Sequence, residues 1–267
     1  MAQIFGMGKF IFLLLAVVGL GCGCHTPQAP VNIAGAYDMV TQTFGGNVLD
    51  TTFTQHKQLK LYTGRFMMYV RLSPADSLSS YGVGTYTISG NRLVENIVYS
   101  AADTIAIKTP DSDTMVVTQT ADGMEQARPN IRSDKGDISL KEVYHRVDTA
   151  VLSPIDGCWK QVSGYSVKGT DTVRWADVQY KAFFAGNFAF GNVETDKRGI
   201  THAGVSYGTF TMAGNTVNET ITASSWPALN GQHVAVEITV NSPDVFTQTI
   251  RQQDGTTEVL RYERLRE

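Results

Sequence analysis

The chain has 267 residues, 42% of them hydrophobic and 18% charged, with a formal net charge of −3. That length and apolar content can bury the cores of about two ordinary domains. A mildly acidic chain with no run of Lys or Arg lacks the electrostatic footprint that phosphate backbones demand, which excludes nucleic acid as a partner.

Residues 1–21 read as a signal peptide. Lys9 is followed by an apolar run over residues 11–20, broken only by Gly19, and then by Gly21-Cys22-Gly23-Cys24. The run is too short to span a bilayer permanently and has small residues where a peptidase cuts. Cys22 resembles the lipid-attachment cysteine of a bacterial lipoprotein, although Gly19 stands where Leu or Val is usual; Cys24, preceded by Gly23, is a rival acceptor. Lipidation at Cys22 implies a cell-envelope protein anchored to a membrane, on either its periplasmic or its surface-exposed face, and ordinary secretion is the alternative. Residues 22–31 include Pro27 and Pro30 and suit an extended tether.

Beyond the tether the sequence says the same thing twice. Ile33-Ala34-Gly35-Ala36-Tyr37 returns as Ile155-Asp156-Gly157-Cys158-Trp159, and Gly64-Arg65-Phe66 as Gly186-Asn187-Phe188 at the same offset. Gly84-Thr85-Tyr86-Thr87 returns as Gly208-Thr209-Phe210-Thr211, Glu95-Asn96-Ile97 as Glu219-Thr220-Ile221, and Tyr144-His145-Arg146 as Tyr262-Glu263-Arg264. A period this long exceeds that of a solenoid. It divides the chain into copies at 32–147 and 155–267, with 148–154 as the linker.

Within each copy the pattern is strand after strand. Phe66, Met68, Val70 and Leu72 share one face of an alternating run, and Thr85-Tyr86-Thr87-Ile88 and Thr209-Phe210-Thr211-Met212 alternate hydroxyl with apolar side chains. Turn signals at Ser89-Gly90-Asn91, Asp122-Gly123, Gly214-Asn215 and Asp254-Gly255 separate the runs. Only residues 55–62 and 177–184 could be read as helix, and equally as strand. Several short strands with tight turns per copy predict an all-β chain of two tandem antiparallel barrels or sandwiches.

Gly157-Cys158-Trp159 at the start of a copy, with Tyr262-Glu263-Arg264 in its last strand, resembles the Gly-x-Trp opening and terminal arginine of lipocalin-like barrels. Each copy is similar to the small lipocalin-like domains of unknown function found in Bacteroidota lipoproteins, calycin-like barrels with a Gly-Thr-Tyr-Thr strand and a following Glu. The resemblance covers nearly all of the chain after the tether. It implies that Trp159 packs under the second barrel with Arg264 across it, and that Tyr37 and Arg146 close the first, by cation–π contacts worth on the order of 1 kcal/mol. Those residues would be structural.

Candidate chemistry is thin. Gly204-Val205-Ser206-Tyr207-Gly208 matches the Gly-x-Ser-x-Gly elbow of serine hydrolases, which requires a sharp strand-to-helix turn. Here a strand-like alternation follows, and Tyr81-Gly82-Val83-Gly84 in the first copy lacks the serine. None of the five histidines (His25, His56, His145, His202, His233) is spaced with another as metal ligands, and Asp111-Ser112-Asp113 lacks the rest of a calcium loop. Cys24 and Cys158 could pair in an oxidising compartment, or Cys158 could be a buried thiol beside Trp159. No enzymatic activity, cofactor or metal is expected.

Glu95 and Glu219 share strand parity with apolar residues two positions to either side, so each points into its barrel if those residues do. A buried carboxylate needs a partner, water or a proton. It pairs with an interior Tyr, Arg or Lys, or it anchors a pocket lined by Phe66, Met68, Phe188 and Phe190. The expected function is binding of a small apolar or amphipathic ligand, most of all in the second copy, whose Ala189 and Gly191 leave space. The alternative is a structural or protein-interaction lipoprotein with solid barrels.

Overall fold

The computed structural model describes residues 31–46, 51–73, 78–102, 105–107, 111–133, 136–148, 152–175, 178–195, 199 and 201–266. The signal segment, Cys22, Cys24 and most of the tether lie outside the described residues. The fold is all-β, and the helical structure among the described residues is a single 3-10 turn at Pro227–Leu229.

The first copy supplies β1 (Gly35–Gly46), β2 (Thr51–Phe53), β3 (Lys57–Thr63), β4 (Phe66–Ser73), β5 (Leu78–Ser89), β6 (Arg92–Ala102), β7 (Ile105–Ile107), β8 (Asp111–Gln119), β9 (Gly123–Ser133) and β10 (Gly136–Arg146). The path β1-β3-β4-β5-β6-β8-β9-β10 closes where β10 pairs with β1, making an eight-stranded antiparallel barrel with β2 and β7 as short outliers. The second copy supplies β11 (Gly157–Lys168), β12 (Asp171–Trp175), β13 (Gln179–Phe184), β14 (Asn187–Thr195), β15 (Thr201–Ala213), β16 (Thr216–Ser224), β17 (His233–Ser242), β18 (Val245–Arg251) and β19 (Thr257–Arg264). It closes in the same way through β11 and β19, with β12 off the ring. Residues 57–62 and 179–184, whose pattern fitted helix or strand, lie in β3 and β13.

Closing a ring this small requires bent strands, and both copies bend at matching places. The first strand of each barrel carries a bulge at which Val40 and Val162 turn outward, 50% and 43% exposed. The register slips again at Gly84 and Gly208. A Cβ there would run into the carbonyl oxygens of Asn96 and Thr220, so only glycine lets the neighbouring backbone approach.

Three apolar clusters hold the molecule together. Tyr37, Tyr62, Met67, Tyr86 and Met115 fill the first barrel, and Trp159, Phe183, Phe188, Phe210 and Phe246 the second. The third lies between the barrels. Leu59, Leu61, Met68, Val70, Tyr81 and Val83 on the outer face of β3 to β5 meet Tyr180, Ala182, Ala189, Ala203, Val205 and Ala223 of β13 to β16. The central strands β3 and β13 are therefore buried on both faces.

Phe66 and Met68 belong to this third cluster and not to a barrel interior. The cause is the hairpin. The β3–β4 turn sits at Gly64-Arg65 and the β13–β14 turn at Ala185-Gly186, with Thr63 opposite Phe66 and Phe184 opposite Asn187. Phe66 thus corresponds to Asn187, one residue earlier than the repeated glycine suggests, and a one-residue shift moves a side chain to the other face. Met67 and Tyr69 are the counterparts of Phe188 and Phe190.

Candidate functional site: the barrel interiors

Each barrel has one end stoppered by an aromatic ring and an arginine. Arg264 lies 4.2 Å from the Trp159 ring, and Trp159 Nε1 donates to the Ile155 carbonyl at 2.7 Å. Arg264 also donates to the carbonyls of Asp156 and Pro243. Gly157 has φ of +136° and its missing Cβ is replaced by the Arg264 guanidinium, which explains the glycine two residues before the tryptophan. In the first barrel Arg146 lies 5.9 Å from Tyr37 and binds the Ala34 carbonyl and Asp148.

Above each stopper sits the same buried polar triad. Lys60 Nζ donates to Glu95 Oε1 at 3.1 Å and to Gln126 Oε1 at 2.9 Å; Lys181 Nζ donates to Glu219 Oε1 at 3.0 Å and to Gln248 Oε1 at 2.9 Å. Glu95 and Glu219 both point inward and are 4% and 7% exposed. The lysines and glutamines were not singled out from sequence. A signal was present: Gln58-Leu59-Lys60 and Gln179-Tyr180-Lys181 each place a lysine inside an otherwise apolar run at matching positions of the two copies.

Around the triads the barrels diverge. In the first, the Tyr62 hydroxyl donates to Glu95 and accepts from Gln126, Glu142 stands 3.9 Å from Lys60, and Gln42 and Tyr144 both donate to Glu142 at 2.8 Å. Burial drives the Tyr62 and Tyr144 hydroxyls well above the usual phenol range, and the neighbouring carboxylates add to the rise. A cavity of about 240 Å³ above this network is lined by Lys60, Arg71, Glu95, Asp113, Arg128 and Glu142 among others. Arg128 pairs with Asp113 and Arg71 donates to His56.

Strand register assigns each of these positions a counterpart in the second barrel. Phe183 replaces Tyr62, Val234 replaces Asp113, Ile250 replaces Arg128, Leu260 replaces Glu142 and Phe190 replaces Tyr69. The resulting cavity is about 300 Å³, walled by Phe188, Phe190, Ile221, Val236, Ile250 and Leu260, with Lys181, Glu219 and Gln248 as its polar patch. Trp226, at the 3-10 turn, covers one side 6.0 Å from Phe190, and Gly204 has no side chain because that ring occupies the space. Of the residues expected to line a pocket, the structure brings Glu219, Phe188 and Phe190 together, places Glu95 in the other barrel, and separates Phe66 and Met68 from both. Phe66 lines a crevice between the barrels with Thr63, Cys158 and Leu265.

Ser206 lies mid-strand in β15 with its hydroxyl 2.8 Å from that of Ser224, so the Gly-x-Ser-x-Gly segment forms no elbow. Among the described residues no group of three or more His, Cys, Asp and Glu is placed to hold a metal. Among the described residues Cys158 has no disulfide partner; it is a buried thiol against the Thr63 hydroxyl, and burial pushes its pKa up to about 12. No protein-family model and no curated protein matches the chain.

Proposed function

We propose that the protein is a lipid-anchored, lipocalin-like envelope protein that acts by binding, not by catalysis, and that its second barrel holds a small apolar or amphipathic molecule. The observation that carries this reading is the cavity of about 300 Å³ in that barrel, walled by aromatic and aliphatic side chains around a few converging polar groups. That is the usual composition of a small-ligand site. The anchor rests on the sequence around Cys22 alone. Its support for envelope location is the signal-like segment before it.

The first barrel suits an apolar ligand less well, because its cavity of about 240 Å³ is lined by charged groups that pair with one another across the interior. Exchange of Asp113, Arg128 and Glu142 for Val234, Ile250 and Leu260 makes the second copy the one adapted to apolar contents.

Native mass spectrometry of the protein from His25 onward, after exposure to a lipid and small-molecule extract of cell envelope, tests the reading. The expected result is a reproducible added mass that disappears in Val236→Trp, which fills the cavity. Bare protein under every condition sinks the proposal and favours surface interactions.

A further inference from the structure

Lys181 is 4% exposed and its ammonium has three protons to give, of which Glu219 and Gln248 take two. In the first barrel the remaining side of the corresponding Lys60 faces Glu142 at 3.9 Å. In the second barrel Leu260 occupies that place, and the third proton of Lys181 has no hydrogen-bond acceptor among the described residues; the ammonium instead lies 5.7 and 5.8 Å from the centres of the Phe183 and Phe190 rings. A ring face is a weaker acceptor than an oxygen, so an oxygen held within the cavity is the better partner for that proton.

Charge decides what that acceptor can be. The charged residues lining the cavity are Lys181, Glu219 and Glu258. The lysine is already balanced by Glu219, and Glu258 leaves the cavity with one net negative charge. A ligand carboxylate on Lys181 would share a single ammonium with Glu219, and two like charges so placed repel each other. An uncharged oxygen meets the donor with no such conflict.

A second observation lies in the same barrel. Gln161, on the inward face of β11 two residues past Trp159 and opposite Tyr262, is 3% exposed, and both its amide oxygen and its amide nitrogen lack partners. Its counterpart in the first barrel is the apolar Met39, packed in the interior cluster. Gln161 does not itself line the cavity, but the buried amide left without partners beside it is neutral, while the ionic charges that line the cavity are paired or negative.

Resting on the proposed cavity binding, we infer that the ligand's polar end is an uncharged oxygen (hydroxyl, carbonyl or ester) set on Lys181, and that carboxylate-headed amphiphiles of equal length are rejected. About ten water-sized volumes fit in the cavity, which matches an eight-carbon chain with its head group.

Calorimetric titration with 1-octanol and with octanoate at pH 8 tests this. Octanol should bind at least about tenfold tighter than octanoate. Glu219→Gln frees Lys181 for a ligand carboxylate and should raise octanoate affinity, so that the preference shrinks or inverts. Glu258→Gln, further from the triad and safer for folding, should narrow the preference in the same direction. Octanoate binding as well as octanol in the unaltered protein overturns the head-group inference and leaves the cavity reading standing. A preference that neither substitution moves overturns it too, because charge would not be its cause. If neither compound binds, the cavity reading itself is withdrawn and the inference goes with it.

Discussion

Lys181 and Glu219 are each nearly excluded from water, so the two charges depend on each other. Removing one partner of a buried pair strands the other, at a typical cost of about 3–5 kcal/mol. Glu219→Ala should therefore lower the unfolding free energy by roughly that much in a urea titration. The double change Glu219→Leu with Lys181→Met should cost less than the single one, since two apolar side chains leave only Gln248 without its partner. A single substitution that costs less than about 1 kcal/mol would mean that the pair is solvated in solution. The inward carboxylate was legible from strand parity in Leu93-Val94-Glu95-Asn96-Ile97. Its lysine was not, because Lys60 and Lys181 lie on strands whose two faces are both apolar, and alternation does not reveal which face a residue takes.

The two β-hairpins that follow β3 and β13 illustrate the same limit at the level of elements. Repeated glycines at Gly64 and Gly186 suggest equivalent turns, yet the first turn places Gly64 at φ of +60° and the second places Ala185 at φ of +44° in the corresponding position. A left-handed conformation costs a residue with a Cβ about 1–2 kcal/mol, while glycine there loses more chain entropy on folding, about 0.5–1 kcal/mol. Ala185→Gly should thus stabilise the protein by up to about 1 kcal/mol, seen as a higher midpoint in thermal denaturation; a clear loss of stability would show that the Ala185 methyl packs favourably enough to offset its backbone. The strand character, turn positions and the duplication were readable because period-two alternation and Gly-Asn or Asp-Gly turns are local signals. The alternation also grouped Phe66, Met68, Val70 and Leu72 correctly on one face. Assigning that face to a barrel interior failed, since the outer face is equally apolar where it meets the other copy.

At the scale of the molecule, the two barrels share a continuous apolar contact, and its halves are not alike. The first copy contributes bulk, with Met68, Tyr81 and Tyr99; the second mostly contributes room, with Ala182, Ala189, Gly191 and Ala203. A Cβ on Gly191 would lie 2.5 Å from the Tyr81 ring. Tyr99 and Tyr180 meet across the boundary with ring centres 5.2 Å apart, and Asn187 reaches the carbonyl of Val147 at 3.1 Å. Two domains joined this closely should unfold together. Calorimetry should record one transition for the unaltered protein and two for Met68→Asp, which buries an unpaired charge in the contact. Two transitions in the unaltered protein would show that the contact adds little to either barrel.

The asymmetry of that contact also has a bearing on how the chain comes to be folded. When folding starts from the N-terminal end, the first barrel can close once Arg146 is in place, while its Met68 and Tyr81 face still awaits the small residues of a copy about a hundred residues further along the chain. For that interval the protein carries a bare apolar patch with no matching surface of its own kind, because another first copy offers mostly Leu, Met, Val and Tyr side chains against the same. Neighbouring nascent chains are thereby poor substitutes for the missing half, and each chain waits for its own second barrel.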